Sequence, residues 1–78
     1  MVIKVLGTGC AKCKKLEDLT REVVNELQLD ATVEKVDDIY KIMQYGVMRT
    51  PGLVINEKVV LTGRLPNIAE LKKLISGK

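Results

Sequence analysis

The residues of this chain best suited to chemistry are two cysteines in the segment Cys10-Ala11-Lys12-Cys13. Two cysteines three positions apart at the start of a helix can approach closely enough to form a disulfide. The free N–H groups and the positive dipole end of the helix stabilise a thiolate, the form that attacks disulfides, and Lys12 adds positive charge. We therefore predict that Cys10 is the nucleophile, that Cys13 is a more shielded resolving thiol, and that Lys12 tunes the electrostatics of the site.

The composition excludes most other kinds of site. The 78 residues include no histidine, which rules out Ser-His, Cys-His and His-metal chemistry, and two cysteines do not complete a four-cysteine zinc site. With two tyrosines as the only aromatic residues, a base-stacking surface for nucleic acid is not expected. No apolar run approaches the roughly 18–20 residues that span a bilayer, and the N-terminus lacks the pattern of a signal peptide. We therefore expect a cytoplasmic protein without nucleic-acid or membrane partners.

The hydrophobic pattern predicts the elements that position the cysteine pair. Strands are predicted at 2–6, 31–36, 53–55 and 58–62, and helices over about 10–28, over 37–45 and from Asn67 onward. A helical crossover makes the first two strands parallel, and the short turn at Asn56-Glu57 makes the last two antiparallel. The prediction is one α/β domain over residues 1–78, in the order β1-α1-β2-α2-β3-β4-α3, with a mixed sheet.

Two sequence motifs, together with this element order, connect the chain to a known family. The segment Gly7-Thr8-Gly9-Cys10-Ala11-Lys12-Cys13 and the later Thr50-Pro51-Gly52 resemble the thioredoxin and glutaredoxin superfamily, above all its short members, the small redox-active disulfide proteins. The resemblance implies a minimal thioredoxin fold, a four-stranded sheet in the order 2-1-3-4 with helices on both faces. It also implies that Pro51 forms a cis peptide bond facing the disulfide, and that Thr50 offers its backbone to an extended substrate segment.

The resemblance implies a thiol–disulfide oxidoreductase that exchanges its Cys10-Cys13 pair with protein disulfides. Cys10 would form the mixed disulfide with the substrate, and Cys13 would resolve it. The pair itself carries two electrons, so no bound cofactor or metal is expected. The expected partners are disulfide-containing proteins and an upstream disulfide reductase. A reductase of the thioredoxin-reductase type is favoured over glutathione, because the stretch 62–67 has one glycine and no acid, unlike glutaredoxins. We expect a monomer.

The first strand departs from the family pattern in having no acid. Its only charged residue is Lys4, so the sequence assigns no proton acceptor to Cys13. Three further interpretations concern individual side chains. A basic rim beside the cysteines could be formed by Lys12, Arg49 and Arg64. One of the two tyrosines, Tyr40 or Tyr45, either borders the site or packs against its neighbours. The methionines Met43 and Met48 are expected to fill gaps in the core.

Two other classes of protein compete with this prediction. A Cu(I) chaperone of the ferredoxin-like type also has a Cys-x-x-Cys loop after its first strand, and two thiolates suit that ion. Its element order is βαββαβ, however, and it gives no role to Thr50-Pro51-Gly52. A passive interaction module leaves both the cysteine pair and Thr50-Pro51 unexplained.

Overall fold

The structure, a computed structural model, describes residues 1–9 and 11–76. Its elements are β1 (Val2–Leu6), α1 (Ala11–Glu26), β2 (Thr32–Val36), α2 (Ile39–Gln44), β3 (Gly52–Ile55), β4 (Lys58–Thr62) and α3 (Ile68–Ser76). The order of these elements and the four-stranded sheet, β2-β1-β3-β4, confirm the minimal thioredoxin fold that the sequence predicted.

The sheet is mixed, with β1 at its centre. β1 pairs in parallel with β2, with Val2 opposite Thr32, and antiparallel to β3, with Leu6 opposite Gly52. β4 pairs antiparallel to β3, and the register between them shifts after Leu53. β1 therefore has a hydrogen-bonded neighbour on each side, which explains its nearly continuous apolar sequence. The residues that follow its end leave the sheet between β2 and β3.

Each face of the sheet has its own apolar cluster, because successive side chains of a strand point to opposite faces. On one face α1 and α3 pack over the sheet; this cluster contains Ile3, Val5, Leu16, Val23, Leu53, Ile55, Leu61, Leu71 and Ile75. On the other face the short α2 covers a smaller cluster, which contains Leu6, Ile42, Val47 and Val54. Helices on both faces were predicted and are confirmed.

The first helix is shorter than the sequence suggested. α1 ends at Glu26, whereas the apolar spacing predicted a helix to residue 28. Gln28 has a φ of 51°, in the left-handed region, which ends the helical path there. Leu27 is 38% exposed instead of continuing the buried face. The Leu27 N–H still donates to the Val23 carbonyl at 2.9 Å, so the helical path ends between Leu27 and Gln28.

Local hydrogen bonds fix the remaining turns. Asp38 caps α2 by accepting a bond from the backbone N–H of Tyr40, and Asn67 accepts one from the N–H of Glu70 at 2.8 Å. Aspartate and asparagine are among the residues most favoured at this capping position. In the β3–β4 turn, Asn56 and Glu57 have φ values of 50° and 68°. Positive values at both central positions define the type I′ turn that suits a two-residue hairpin.

Candidate active site

The predicted cysteine site lies between the end of β1 and the start of α1. Gly7, Thr8 and Gly9 lead from the strand to the helix, and Gly9 has a φ of 93°, which favours glycine. Cys10 lies outside the described residues, so its role as the nucleophile stays a prediction. Its successor Ala11 is the first residue of α1. The cysteine pair thus belongs to a strand–loop–helix junction.

Cys13 lies on the buried face of α1. Its side chain is 4% exposed, and the structure records it as disulfide-bonded. It precedes Leu16 and Thr20 on the same buried face of the helix. A sulfur so placed is shielded from large partners, and this agrees with the shielded position predicted for the resolving thiol. The resolving role itself stays a prediction.

The first turn of α1 is positively charged. It contains Lys12 and Lys14, both exposed, and no acidic residue. Cations at a helix N-terminus oppose the helix dipole and so destabilise a helix slightly. The same charges stabilise an anion at that end, and a cysteine thiolate is such an anion. The charge pattern is therefore better suited to a thiolate than to helix stability.

The other residues proposed for a basic rim differ from each other. Arg49 is exposed, and the aliphatic part of its side chain lies against Gly63, where an added Cβ would be 3.3 Å from the Arg49 Cβ. Arg64 donates two hydrogen bonds to the carboxylate of Glu70, and this ion pair holds the pKa of that carboxyl below its usual range. Glu70 therefore compensates the charge of Arg64, which leaves Lys12 and Arg49 as the candidates for a basic rim.

The Thr50-Pro51 segment precedes β3. The peptide bond between the two residues is cis, and Pro51 is buried. The Pro51 carbonyl accepts a hydrogen bond from the Gly63 N–H at 2.8 Å, which ties the segment to the end of β4. Within the described part of the chain, the Thr50 backbone makes no hydrogen bond to another backbone group. Its N–H and C=O can therefore bind an extended segment, although that role stays a prediction.

A cleft joins the cysteine loop to the Thr50 segment. We call it the apolar groove; it has a volume of about 230 Å³ and is lined by Thr8, Ile39, Ile42, Met43, Val47, Met48 and Thr50. Thr8 and Thr50 are 42 positions apart in sequence, and the groove brings them together at one surface. Apart from these two threonines, its lining is apolar.

The methionines of the apolar groove correct the sequence interpretation. Met43 and Met48 were expected to fill gaps in the core, but they are 57% and 87% exposed. Ile39 is also 56% exposed, and Ile42 is the buried residue of α2. Ile39 and Met43 line the apolar groove instead of packing in the core. The high density of apolar residues in so short a helix was the signal of an exposed apolar surface.

Lys4 belongs to a polar cluster away from the cysteines. Its ammonium donates to the Tyr45 hydroxyl at 2.9 Å and to the Glu57 carboxylate at 2.7 Å, and Tyr45 donates to Glu57 at 2.8 Å. These bonds raise the pKa of Lys4 and lower the pKa of Glu57. Because Lys4 alternates with Val5, it faces α2, whereas Cys13 belongs to α1 on the opposite face. Lys4 is therefore no direct proton acceptor for Cys13, and Tyr45 packs in this cluster.

The described residues contain no group of three or more histidine, cysteine, aspartate or glutamate side chains that could hold a metal ion. Over the same residues, none of the helices combines the length and the apolar character needed to cross a bilayer.

Comparison with known proteins defines the class to which this fold and site belong. A family model described as a thioredoxin domain matches residues 1–76, so the chain belongs to the thioredoxin family. It is 40% identical over 76 residues to a thioredoxin of Methanothermobacter thermautotrophicus, an alignment that covers 97% of this chain and 99% of the relative. It is also 36% identical over 73 residues to a thioredoxin of Methanocaldococcus jannaschii, with 94% and 84% of the two chains covered.

A more distant relative agrees with these two. The chain is 31% identical over 80 residues to a probable thioredoxin of Archaeoglobus fulgidus, covering 96% of this chain and 87% of the relative. The resemblance predicted from the two sequence motifs is thus confirmed, and the chain is a thioredoxin-like redox protein.

Proposed function

We propose that this protein is a thiol–disulfide oxidoreductase that exchanges its Cys10-Cys13 pair with the disulfides of other proteins. The observation that carries the proposal is the apolar groove, which joins Thr8 of the cysteine loop to Thr50 of the Thr50-Pro51 segment. The burial of Cys13 and the positive first turn of α1 support the division of roles between the two cysteines. The names of the thioredoxin relatives support the same chemistry.

The proposed reaction has two exchange steps. The Cys10 thiolate attacks one sulfur of the substrate disulfide, a mixed disulfide forms, and the other substrate sulfur leaves as a thiolate. The Cys13 thiol then loses its proton and its sulfur attacks Cys10, which releases the second substrate sulfur. Two electrons pass from the cysteine pair to the substrate, and the two protons of the dithiol end on the substrate thiols. The pair is left as a disulfide, so the cycle needs no bound cofactor.

The substrate would meet the protein along the Thr50 segment. The free backbone groups of Thr50 would pair with an extended stretch beside the substrate cysteine, a short version of strand addition. The apolar groove would take an apolar side chain of the same stretch. The oxidised protein would be reduced by a disulfide reductase of the thioredoxin-reductase type. Both proteins would act in the cytoplasm, the location expected from the sequence.

Insulin reduction with dithiothreitol as electron source tests the proposal. The wild type should accelerate the reduction, and both Cys10→Ser and Cys13→Ser should abolish the acceleration. When the reduced variants are mixed with insulin after dithiothreitol has been removed, only Cys13→Ser should accumulate a mixed disulfide with the substrate, because its nucleophile remains and the resolving thiol is lost. If the wild type does not reduce insulin, or if Cys10→Ser forms the stable mixed disulfide, the proposed function or its assignment of roles is wrong.

Nothing in the fold or in the comparisons favours a Cu(I) chaperone. A helix, α3, follows β4, and the β1-α1-β2-α2-β3-β4-α3 order differs from that of the ferredoxin-like carriers. We therefore propose no second function.

A further inference from the structure

The buried sulfur of Cys13 lies directly on the backbone of Gly7. A Cβ added to Gly7 would be 2.4 Å from the Cys13 Sγ and 2.6 Å from the Cys13 Cβ. Non-bonded carbon atoms pack at about 3.5–4.0 Å, so both distances are far inside contact. Gly7 is not among the residues with positive φ. Glycine is therefore needed at position 7 because a side chain has no space there, and not because the backbone has an unusual conformation.

Two elements bring these residues together. Position 7 continues the alternation of Ile3 and Val5, which face α1, and Cys13 lies on the buried face of that helix. The Gly7 N–H donates to the Val36 carbonyl at 2.9 Å, which extends the pairing between β1 and β2 by one residue. Gly7 is thus fixed by the sheet, and its backbone cannot move to make room for a side chain without breaking that bond.

The close contact affects the two redox states unequally. In the oxidised protein, as in this structure, the Cys13 sulfur is covalently bonded and lies against Gly7. In the dithiol the Cys13 side chain is released from that constraint and can turn to another staggered rotamer. The 2.6 Å contact with the Cys13 Cβ does not depend on this rotamer, so it opposes both states equally. The 2.4 Å contact with the Cys13 sulfur is relieved only in the dithiol, so a side chain at position 7 would oppose the disulfide more strongly than the dithiol.

We propose that Gly7 is a positioning residue for disulfide exchange, which favours the oxidised state by leaving room for the Cys13 sulfur. The inference rests on the proposed function only in taking Cys10 and Cys13 as the redox pair. It predicts that Gly7→Ala makes the protein a stronger oxidant. We expect the equilibrium constant for forming the disulfide to fall at least tenfold, which corresponds to a rise of about 30 mV in the reduction potential.

The test measures that equilibrium in dithiothreitol and glutathione redox buffers. Gly52→Ala is the matched control, because Gly52 is also buried and its added Cβ would meet side-chain atoms of Leu6 and Val47 at no less than 3.4 Å. Its reduction potential should equal that of the wild type. Urea unfolding of the oxidised and reduced forms of all three proteins completes the set. For Gly7→Ala, the loss in the free energy of unfolding should be larger in the oxidised form than in the reduced form. The difference between these two losses must equal the shift in reduction potential, converted to free energy.

A purely structural role for Gly7 would give another result. Gly7→Ala would then destabilise the oxidised and reduced forms equally and leave the reduction potential unchanged, which would overturn the proposal. A shift of the same size in the reduction potential of Gly52→Ala would also overturn it. If the variant is unfolded in buffer, trimethylamine N-oxide is added to all three proteins, because it favours folded states generally. A variant that unfolds when oxidised and folds when reduced supports the proposal, and one that stays unfolded in both forms overturns it.

These measurements use small thiols and no protein substrate. A failure of insulin reduction would overturn the proposed function and leave the potential of Gly7→Ala interpretable. If the wild type reduces insulin but Gly7→Ala has the wild-type reduction potential, only the role proposed for Gly7 is overturned.

Discussion

Replacing Met48 by glutamine tests whether the apolar groove takes part in partner binding. Glutamine has nearly the length of methionine but gains no comparable free energy when it is buried. Fully burying a methionine side chain contributes about 1.5–3 kcal/mol. Met48 is 87% exposed, so about 1.3–2.6 kcal/mol remains to be gained when a partner covers it. At about 1.4 kcal/mol per factor of ten, Met48→Gln should lower kcat/KM for a suitable substrate roughly 10- to 70-fold.

The assay uses two disulfide-bonded peptides that differ in one residue beside the attacked cysteine, leucine in one and serine in the other. The wild type should prefer the leucine peptide, and Met48→Gln should lose most of that preference. Bis(2-hydroxyethyl) disulfide, which is too small to reach both the cysteine and the groove, should react equally with both proteins. Tyr40→Gln is the control, since Tyr40 is exposed on α2 but does not line the groove.

Three results would refute this reasoning about Met48. The wild type could show no preference between the peptides, Met48→Gln could keep the preference, or Tyr40→Gln could lose it to the same degree. The first two would mean that the groove does not bind the residue beside the cysteine. The third would mean that any loss of exposed apolar surface near the groove has the same effect.

Three further predictions concern stability. Leu16 is fully buried on α1, so Leu16→Ala should lower the free energy of unfolding in urea by about 2–5 kcal/mol, whereas Leu27→Ala should lower it by less than about 1 kcal/mol. Similar losses in the two variants would contradict the packing described for α1. Asn67→Ala should cost about 1 kcal/mol through the lost cap of α3, and Asn67→Asp, which keeps the acceptor, should cost less; equal losses would contradict the capping role. Glu57→Gln should lower the melting temperature at pH 7, and its difference from the wild type should shrink below about pH 4, because the lowered pKa of Glu57 stabilises the fold only while the carboxyl is ionised. A difference that does not change with pH would refute the ionic role of Glu57.

Most of the fold could be predicted because its signals are local. The apolar run of β1 and the spacing of α1 identify their elements without knowledge of any contact. The short β3–β4 connection fixes its antiparallel pairing. The end of α1 was misplaced because Leu27 continues the apolar spacing, while the turn that exposes it depends on the backbone conformation of Gln28. That conformation has no clear signal in the residue types.

The candidate site also combines features that the sequence predicts with features that it does not. The cysteine motif and Thr50-Pro51 are visible in the sequence. The contact between Gly7 and Cys13 is not, because it depends on the distance between a strand and a helix. The exposure of Met48 is not visible either, because Met48 lies in the connection between α2 and β3, where no periodic pattern indicates burial. Lys4 and its partner Glu57 are 53 positions apart, and residue types alone do not reveal that they meet.

The register shift between β3 and β4 has a consequence for the behaviour of this protein at high concentration. β4 is an edge strand, and a regular edge exposes a row of unpaired N–H and C=O groups that invites a neighbouring chain to add a strand. A bulge increases the local twist, and Lys58 places a charge at the start of the strand. β2, at the opposite edge, carries the exposed charges of Glu34 and Lys35. Both edges of this small sheet thus oppose the stacking of copies into aggregates.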